Sequence, residues 1–272
     1  MQFLWQPLLN LLIVFYHLFF SNLGLAIIAL TVVIRVLLIP LVLPSMRAMN
    51  KMRELAPELE KIKKRHAGDK VKLARAQADF YKEKGVNPAA GCLPQLVQVF
   101  VLIGLYQGFS QVLYTNGDVV ERLNGFLYSP LRISDHLNTS FLFTELTKPN
   151  VFRLPGVPVP IPGVFLLLAA LTQFLSSKMM APVVAKEEKV AKKTPGGMDN
   201  MMAGMQQQML YLFPLMTIVF GFTFPAGLVL YWLVFSLFQA GQQYYVSGWG
   251  GLTPWVLRVG LLKSGFSGKE RH

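Results

Sequence analysis

The chain has 272 residues, of which 53% are hydrophobic and only 15% charged, with a formal net charge of +12. A soluble domain carries nearer a quarter charged residues. The deficit is concentrated in long uncharged stretches, which excludes an ordinary water-soluble fold and makes lipid the expected solvent. The single cysteine, Cys92, excludes an intramolecular disulfide and a cysteine-based metal site, and the four histidines are too scattered for zinc.

Residues 1–22 carry no charge at all. They lack a basic leader and a small-residue cleavage site, so they do not read as a signal peptide. Pro7 suits the first turn of a helix over 7–20. That helix is expected to lie in the membrane interface, with Trp5, Tyr16 and His17 as headgroup-level anchors. A sixth transmembrane helix is the competing assignment.

Five apolar runs follow: 23–44, 87–113 (apolar from Leu93), 164–180, 209–224 and 225–246. About 20 residues at a rise near 1.5 Å cross a hydrocarbon core, so all but the short fourth run are long enough. Phe224-Pro225-Ala226-Gly227 predicts a tight turn between the last two. The segments between the runs divide by charge. Segments 45–86, 178–208 and the tail from 247 together hold twenty-one basic residues against ten acidic, whereas 114–162 holds four of each. Five spans with the amino terminus outside place every basic segment in the cytoplasm, as the positive-inside rule requires.

Segment 45–86 is too polar to span but has helical periodicity. Leu55, Leu59, Ile62 and His66 make one thin apolar stripe, and Val71, Ala74, Ala78 and Tyr81 make another beyond Gly68-Asp69. Two such stripes predict a cytoplasmic helical hairpin. Segment 114–163 is an external loop whose prolines (149, 155, 158, 160, 162) forbid a helix over 147–163. Segment 181–208 reads as a flexible cytoplasmic linker and 247–272 as a basic cytoplasmic tail. Met198, Met201, Met202, Met205 and Met209 suit either a pliable apolar surface or an amphipathic lead-in to the fourth span.

Arg35 is the outlier of the first span, about 18 Å of helical rise from Leu23. A guanidinium keeps its charge, and no Asp or Glu occurs in any of the five runs. The charge therefore faces a water-filled cavity or snorkels to an interface. Thr31, one turn earlier, shares its face. Gln98 and Gln107 of the second run, Thr172 and Gln173 of the third and Tyr231 of the fifth are candidate cavity residues, although an interhelical hydrogen bond is the plainer reading of each. Nothing in the sequence calls for a catalytic residue, a cofactor or a metal.

Several strings resemble one family. Asn22-Leu23-Gly24-Leu25-Ala26-Ile27-Ile28, Thr31-Val32-Val33-Ile34-Arg35 and Pro40-Leu41 are similar to the first conserved span of the YidC/Oxa/Alb membrane protein insertases. Leu55-Ala56-Pro57-Glu58-Leu59 resembles the start of their cytoplasmic hairpin. Tyr81 to Pro88, Gly91-Cys92-Leu93-Pro94 and Phe224 to Trp232, with Gln242-Gln243-Tyr244 beyond, resemble bacterial members. The resemblance implies an all-α integral membrane protein of five transmembrane helices around a hydrophilic groove, in the short form that lacks a large periplasmic domain.

It further implies a groove lined by Arg35 and Thr31, with Tyr231 and Trp232 bordering the client's path. Implied partners are nascent membrane protein clients, the lipid bilayer, the Sec translocon, and ribosome and signal-recognition components meeting the 45–86 hairpin and the basic tail. The implied location is the bacterial plasma (inner) membrane. A small anion channel or transporter using Arg35 as its selectivity charge is the alternative. An intramembrane serine hydrolase built on Ser110 lacks a histidine base within the spans.

Overall fold

The computed structural model describes residues 2–66, 68–87, 93–113, 119–134, 136–156, 160–180 and 211–258. The 181–208 linker, the Met-rich stretch, Cys92, the tail beyond 258 and the side chains of Gln95, Ser110 and Gln111 lie outside the described residues. Those described are mostly helical. In chain order the helices are α1 (Gln2–Leu18), α2 (Leu23–Leu37), α3 (Ile39–Glu54), α4 (Ala56–Arg65), α5 (Lys70–Glu83), α6 (Leu93–Leu113), α7 (Val119–Phe126), α8 (Val164–Met180), α9 (Tyr211–Gly221), α10 (Ala226–Ser247) and α11 (Thr253–Arg258). Among the described residues no single helix is long and apolar enough to cross a membrane. Leu23–Leu37 and Ile39–Met52 pass that test only together, as a broken pair.

The break has a local cause. Pro40 offers no N–H to the carbonyl of Val36 and disfavours helical geometry at Ile39. The expected run 23–44 is thus divided at Leu38, whose own N–H closes α2 on the Ile34 carbonyl at 3.0 Å. At the other end the Asn22 side chain caps α2 by accepting from Leu25 N at 3.0 Å.

By its contacts the chain divides into two units, and each has its own logic. The first comprises 1–38, 95–173 and 214–238. Its core gathers one face of α1 (Trp5, Leu9, Leu12, Ile13, Tyr16) with Leu23, Ala26, Ile27 and Leu30 of α2 and the buried start of α10. This corrects the expectation for α1. Trp5 and Tyr16 are interior residues, not headgroup anchors, and only His17 of the three is exposed. Spacings of four, three, one and three place these side chains on a single helical face. The Tyr16 hydroxyl accepts from Asn138 N at 2.8 Å. Asn10 is buried with its polar ends satisfied, donating to Gln6 O and Phe126 O and accepting from Tyr128 N.

Segment 119–163 is built, not merely looped. After α7 come a short 3-10 turn at Ser129–Leu131, an antiparallel pair β1 (Ser140–Phe141) with β2 (Thr144–Glu145), and a second pair β3 (Val151–Phe152) with β4 (Ile161–Pro162). Its carbonyls serve neighbouring helices. Lys148 O and Leu146 O accept from Ala226 N and Gly227 N, the first turn of α10, at 2.8 and 2.9 Å. The Asn150 side chain accepts from Leu166 N in the first turn of α8. Helix N-termini leave such donors without intrahelical partners, so this segment satisfies the starts of two helices.

The second unit comprises 39–94, 174–213 and 239–272. α4 and α5 pack together, but the buried face of α5 is Leu73, Gln77 and Phe80. The stripe Val71, Ala74, Ala78, Tyr81 is therefore corrected: Val71 is 64% exposed and both alanines face outward. The larger Leu and Phe side chains bury more apolar area than the alanines, and that decides the register. Lys84 pairs with Glu58 at 2.7 Å, and Lys51 donates to Lys84 O at 2.9 Å. Residues 249–258, expected as the start of a tail, pack Trp249, Leu252 and Val256 against Leu175 and Met179 of α8. Gly250, at φ +47, lies so close to the Met179 carbonyl that a Cβ would stand 2.0 Å from its oxygen.

Two predictions follow from the packing. A Cβ at Gly24 would lie 2.2 Å from the Phe141 ring. Gly24→Ala is expected to lower stability in detergent thermal unfolding by about 1–3 kcal/mol through overpacking. Phe141→Ala added to it should recover part of the loss, and strictly additive losses would remove that explanation. In the hairpin, the backbone N–H of Lys72 and then its side chain hold Asp69 below its ordinary value of 3.8, while Val71 N also donates to it. A lowered carboxylate contributes above the ordinary value and loses that contribution as pH falls through the lowered one. Amide protection at Val71 and Lys72, corrected for intrinsic exchange, should therefore hold down to about pH 4 and then fall. Asp69→Asn should retain a cap without that pH dependence.

Candidate functional site

The first unit brings Arg35 and the aromatic face of α10 together. Arg35 lies in the last turn of α2 and is 6% exposed. Its Nη2 donates to the backbone carbonyl of Phe235 at 3.1 Å, and its guanidinium carbon lies 3.6 Å from the centroid of the Phe235 ring. The Phe238 ring is 5.7 Å away. Residues 235 and 238 lie three apart on α10 and share a face, and Tyr231 continues that face one turn earlier. The Tyr231 and Phe235 rings are 6.1 Å apart. The Tyr231 hydroxyl is buried and accepts from Gln98 Nε2 of α6 at 2.9 Å. α2, α6 and α10 therefore meet in one constellation: a cation, two rings facing it, and a tyrosine held by an amide.

The other sequence-derived candidates divide among three environments. Thr31 is buried one turn before Arg35, and its hydroxyl donates to Ile27 O at 2.6 Å. Thr172 uses its hydroxyl in the same way, toward Leu168 O and Ala169 O within α8. Such back-bonding satisfies a hydroxyl in an apolar setting without a partner helix. Gln173 of α8 accepts from the Thr217 hydroxyl of α9, a separate interhelical pair. Gln107 is half-buried on α6. Trp232 lies on another side of α10, its ring 5.7 Å from Phe224, which also meets Tyr106 and Phe220.

Phe235, Phe238 and Thr217 were not among the expected site residues. The first two carried a usable signal, since Tyr231, Phe235 and Phe238 repeat at four-three spacing on an apolar helix, in a chain with an arginine in another apolar run. Thr217 carried none. Chemically, the site offers a cation seated against a neutral carbonyl and neutral rings. No group of three potential metal ligands occurs among the described residues.

The family model described as "60Kd inner membrane protein" matches residues 14–250. "Membrane protein insertase YidC" of Fusobacterium nucleatum is 34% identical over 226 residues, covering 83% of this chain and 86% of that protein. "Membrane protein insertase YidC 2" of Bacillus anthracis is 30% identical over 246 residues, 89% of this chain and 78% of that one. The protein of the first name from Syntrophobacter fumaroxidans is 35% identical over 249 residues, and there the match spans only 38% of the relative. The chain belongs to the YidC/Oxa/Alb family of membrane protein insertases, whose YidC members are bacterial inner-membrane proteins, and this membership supports a membrane protein insertase function.

Proposed function

We propose that the chain inserts small membrane proteins by drawing a client's short polar segment through a cytoplasm-open hydrophilic groove while the client's apolar helix passes into lipid. The supporting observation is Arg35: a permanent charge within an apolar helix, in a chain whose apolar runs hold no carboxylate. Five spans cross the membrane (23–44, 87–113, 164–180, 209–224, 225–246), with residues 1–22 and 114–163 outside. The 45–86 hairpin, the 181–208 linker and the 247–272 tail are cytoplasmic. Arg35, Thr31, Gln98, Gln107, Thr172, Gln173, Tyr231 and Trp232 border the client's path. The basic hairpin and tail meet ribosome and signal-recognition components, and the Sec translocon takes part for some clients.

The magnitudes favour such a role. An arginine at mid-bilayer costs about 2.5–3.5 kcal/mol on insertion scales, a large penalty for a residue with only a packing role. At an effective dielectric near 20, a carboxylate 4 Å from the guanidinium gains about 4 kcal/mol of gross attraction, against about 1 kcal/mol in water. That attraction offsets part of the desolvation of an acidic client segment. A membrane potential negative inside adds about 2.3 kcal/mol per charge per 100 mV for an acidic segment moving outward. Burial of the client's apolar helix contributes the rest, about 0.8 kcal/mol per methylene.

Proteoliposomes containing this protein alone are expected to insert a single-span client with an acidic external segment. Arg35→Ala should reduce the yield about tenfold, equivalent to 1.4 kcal/mol, and Arg35→Lys should recover part of it. Equal yields would remove Arg35 from the client's path and leave the insertase reading standing. Vesicles that insert nothing yet pass small anions would favour a channel.

A further inference from the structure

Arg35 needs a seat as well as a neighbour. A guanidinium on a long aliphatic stem samples many rotamers, and fixing one carries an entropic penalty. In this protein Phe235 meets it twice. The Phe235 carbonyl accepts from Nη2 at 3.1 Å, and the Phe235 ring lies under the guanidinium carbon at 3.6 Å. Both of these groups are neutral. A ring face attracts a cation through its quadrupole, most strongly where water is displaced, and Arg35 is 6% exposed. A helical carbonyl has a second lone pair available beyond its i+4 bond. Phe235 therefore restrains the guanidinium with groups that carry no charge of their own.

We propose that Phe235 is the positioning residue for Arg35, holding the guanidinium against α10 so that a client's acidic segment meets the charge at a fixed place. This role rests on the insertase reading above. Phe238, at 5.7 Å, flanks the same cation, and Tyr231, tied by Gln98, supports the Phe235 ring from one turn away. The ring is separable from the carbonyl by mutation: Phe235→Leu removes the quadrupole and keeps the backbone and an apolar side chain, whereas Phe235→Trp restores a ring.

Two readouts on the full chain in lipid test this. In nanodiscs, the Arg35 side-chain N–H resonances, assigned by their loss in Arg35→Lys, are expected upfield from the ring current. They should move downfield in Phe235→Leu and stay upfield in Phe235→Trp. In proteoliposomes, two clients differing only in an acidic or neutral external segment are compared. Phe235→Leu should lower the acidic-to-neutral insertion ratio about tenfold, and Phe235→Trp should preserve it. Wild-type resonances without an upfield shift overturn the proposal at its geometry. Shifted resonances with both clients equally impaired, or neither, reduce Phe235 to packing and also overturn it. If wild type inserts neither client, the insertase reading fails and takes the positioning role with it, while the resonances still report whether the ring seats the cation.

Discussion

The structure depends on how a charge that cannot be shed is held in an apolar helix. A guanidinium in that setting has three recourses: a carboxylate, water, or the dipoles and quadrupoles of neutral groups. The apolar runs of this chain contain no carboxylate. The geometry displays the third recourse, with a backbone carbonyl and an aromatic face both supplied by Phe235. The distinction matters for function. An internal ion pair would neutralise the field that an acidic client segment is proposed to feel, and breaking it would cost several kcal/mol. The Phe235 carbonyl and ring hold the cation in place without contributing a charge of their own.

That arrangement requires α10 to be placed accurately against α2, and segment 119–163 contributes to this. Unpaired N–H groups at a helix start are costly away from water. Leu146 O and Lys148 O take the first two such donors of α10, and Asn150 takes one from α8. The same segment is fastened to α1 through Asn10 and Tyr16. It also presses Phe141 against Gly24 at the start of α2. A stretch with no evident role in the sequence thus ties the starts of α2, α8 and α10 into one unit.

Legibility in the sequence tracked how local the cause was. Arg35 stood out because a single charge in an apolar run has no ordinary explanation, and the helices of 56–65 and 70–83 followed from periodicity on either side of Gly68-Asp69. The face of α5 was misread because Val71, Ala74, Ala78 and Tyr81 satisfy the same period as Leu73, Gln77 and Phe80; side-chain size, not spacing, separates the two. Trp5 and Tyr16 were misassigned because aromatics suit an interface and a core equally well, and only the tertiary partner decides. Phe235 and Phe238 passed as apolar filler. Their π faces become informative only once α10 is known to face Arg35. The caps on α10 rest on the main-chain carbonyls of Leu146 and Lys148, which leave no trace in residue identity.

Packing among these helices has a physical basis of its own. Lipid tails are as apolar as leucine, so apolar area alone does not drive helices together, and close approach through small residues substitutes for it. Ala26, Ala169 and Ala226 are fully buried, and Gly221 lies so near Leu166 that a Cβ would stand 2.2 Å from it. Dispersion then depends on contact distance, and a small gap forfeits a large share of it. The first unit is accordingly intolerant of added volume around α2, α8 and α10, the first and last of which carry Arg35 and its aromatic seat. The α4–α5 hairpin has a different basis. It buries Leu59, Leu73 and Phe80 and is tied by the partly exposed Lys84–Glu58 pair, a class of contact that contributes little. Elements held by few buried apolar contacts open at the lowest free energy. The charge-bearing site thus sits among closely packed helices with little room to deform, whereas the basic hairpin proposed to meet large partners is held by a small apolar seam and a partly exposed ion pair.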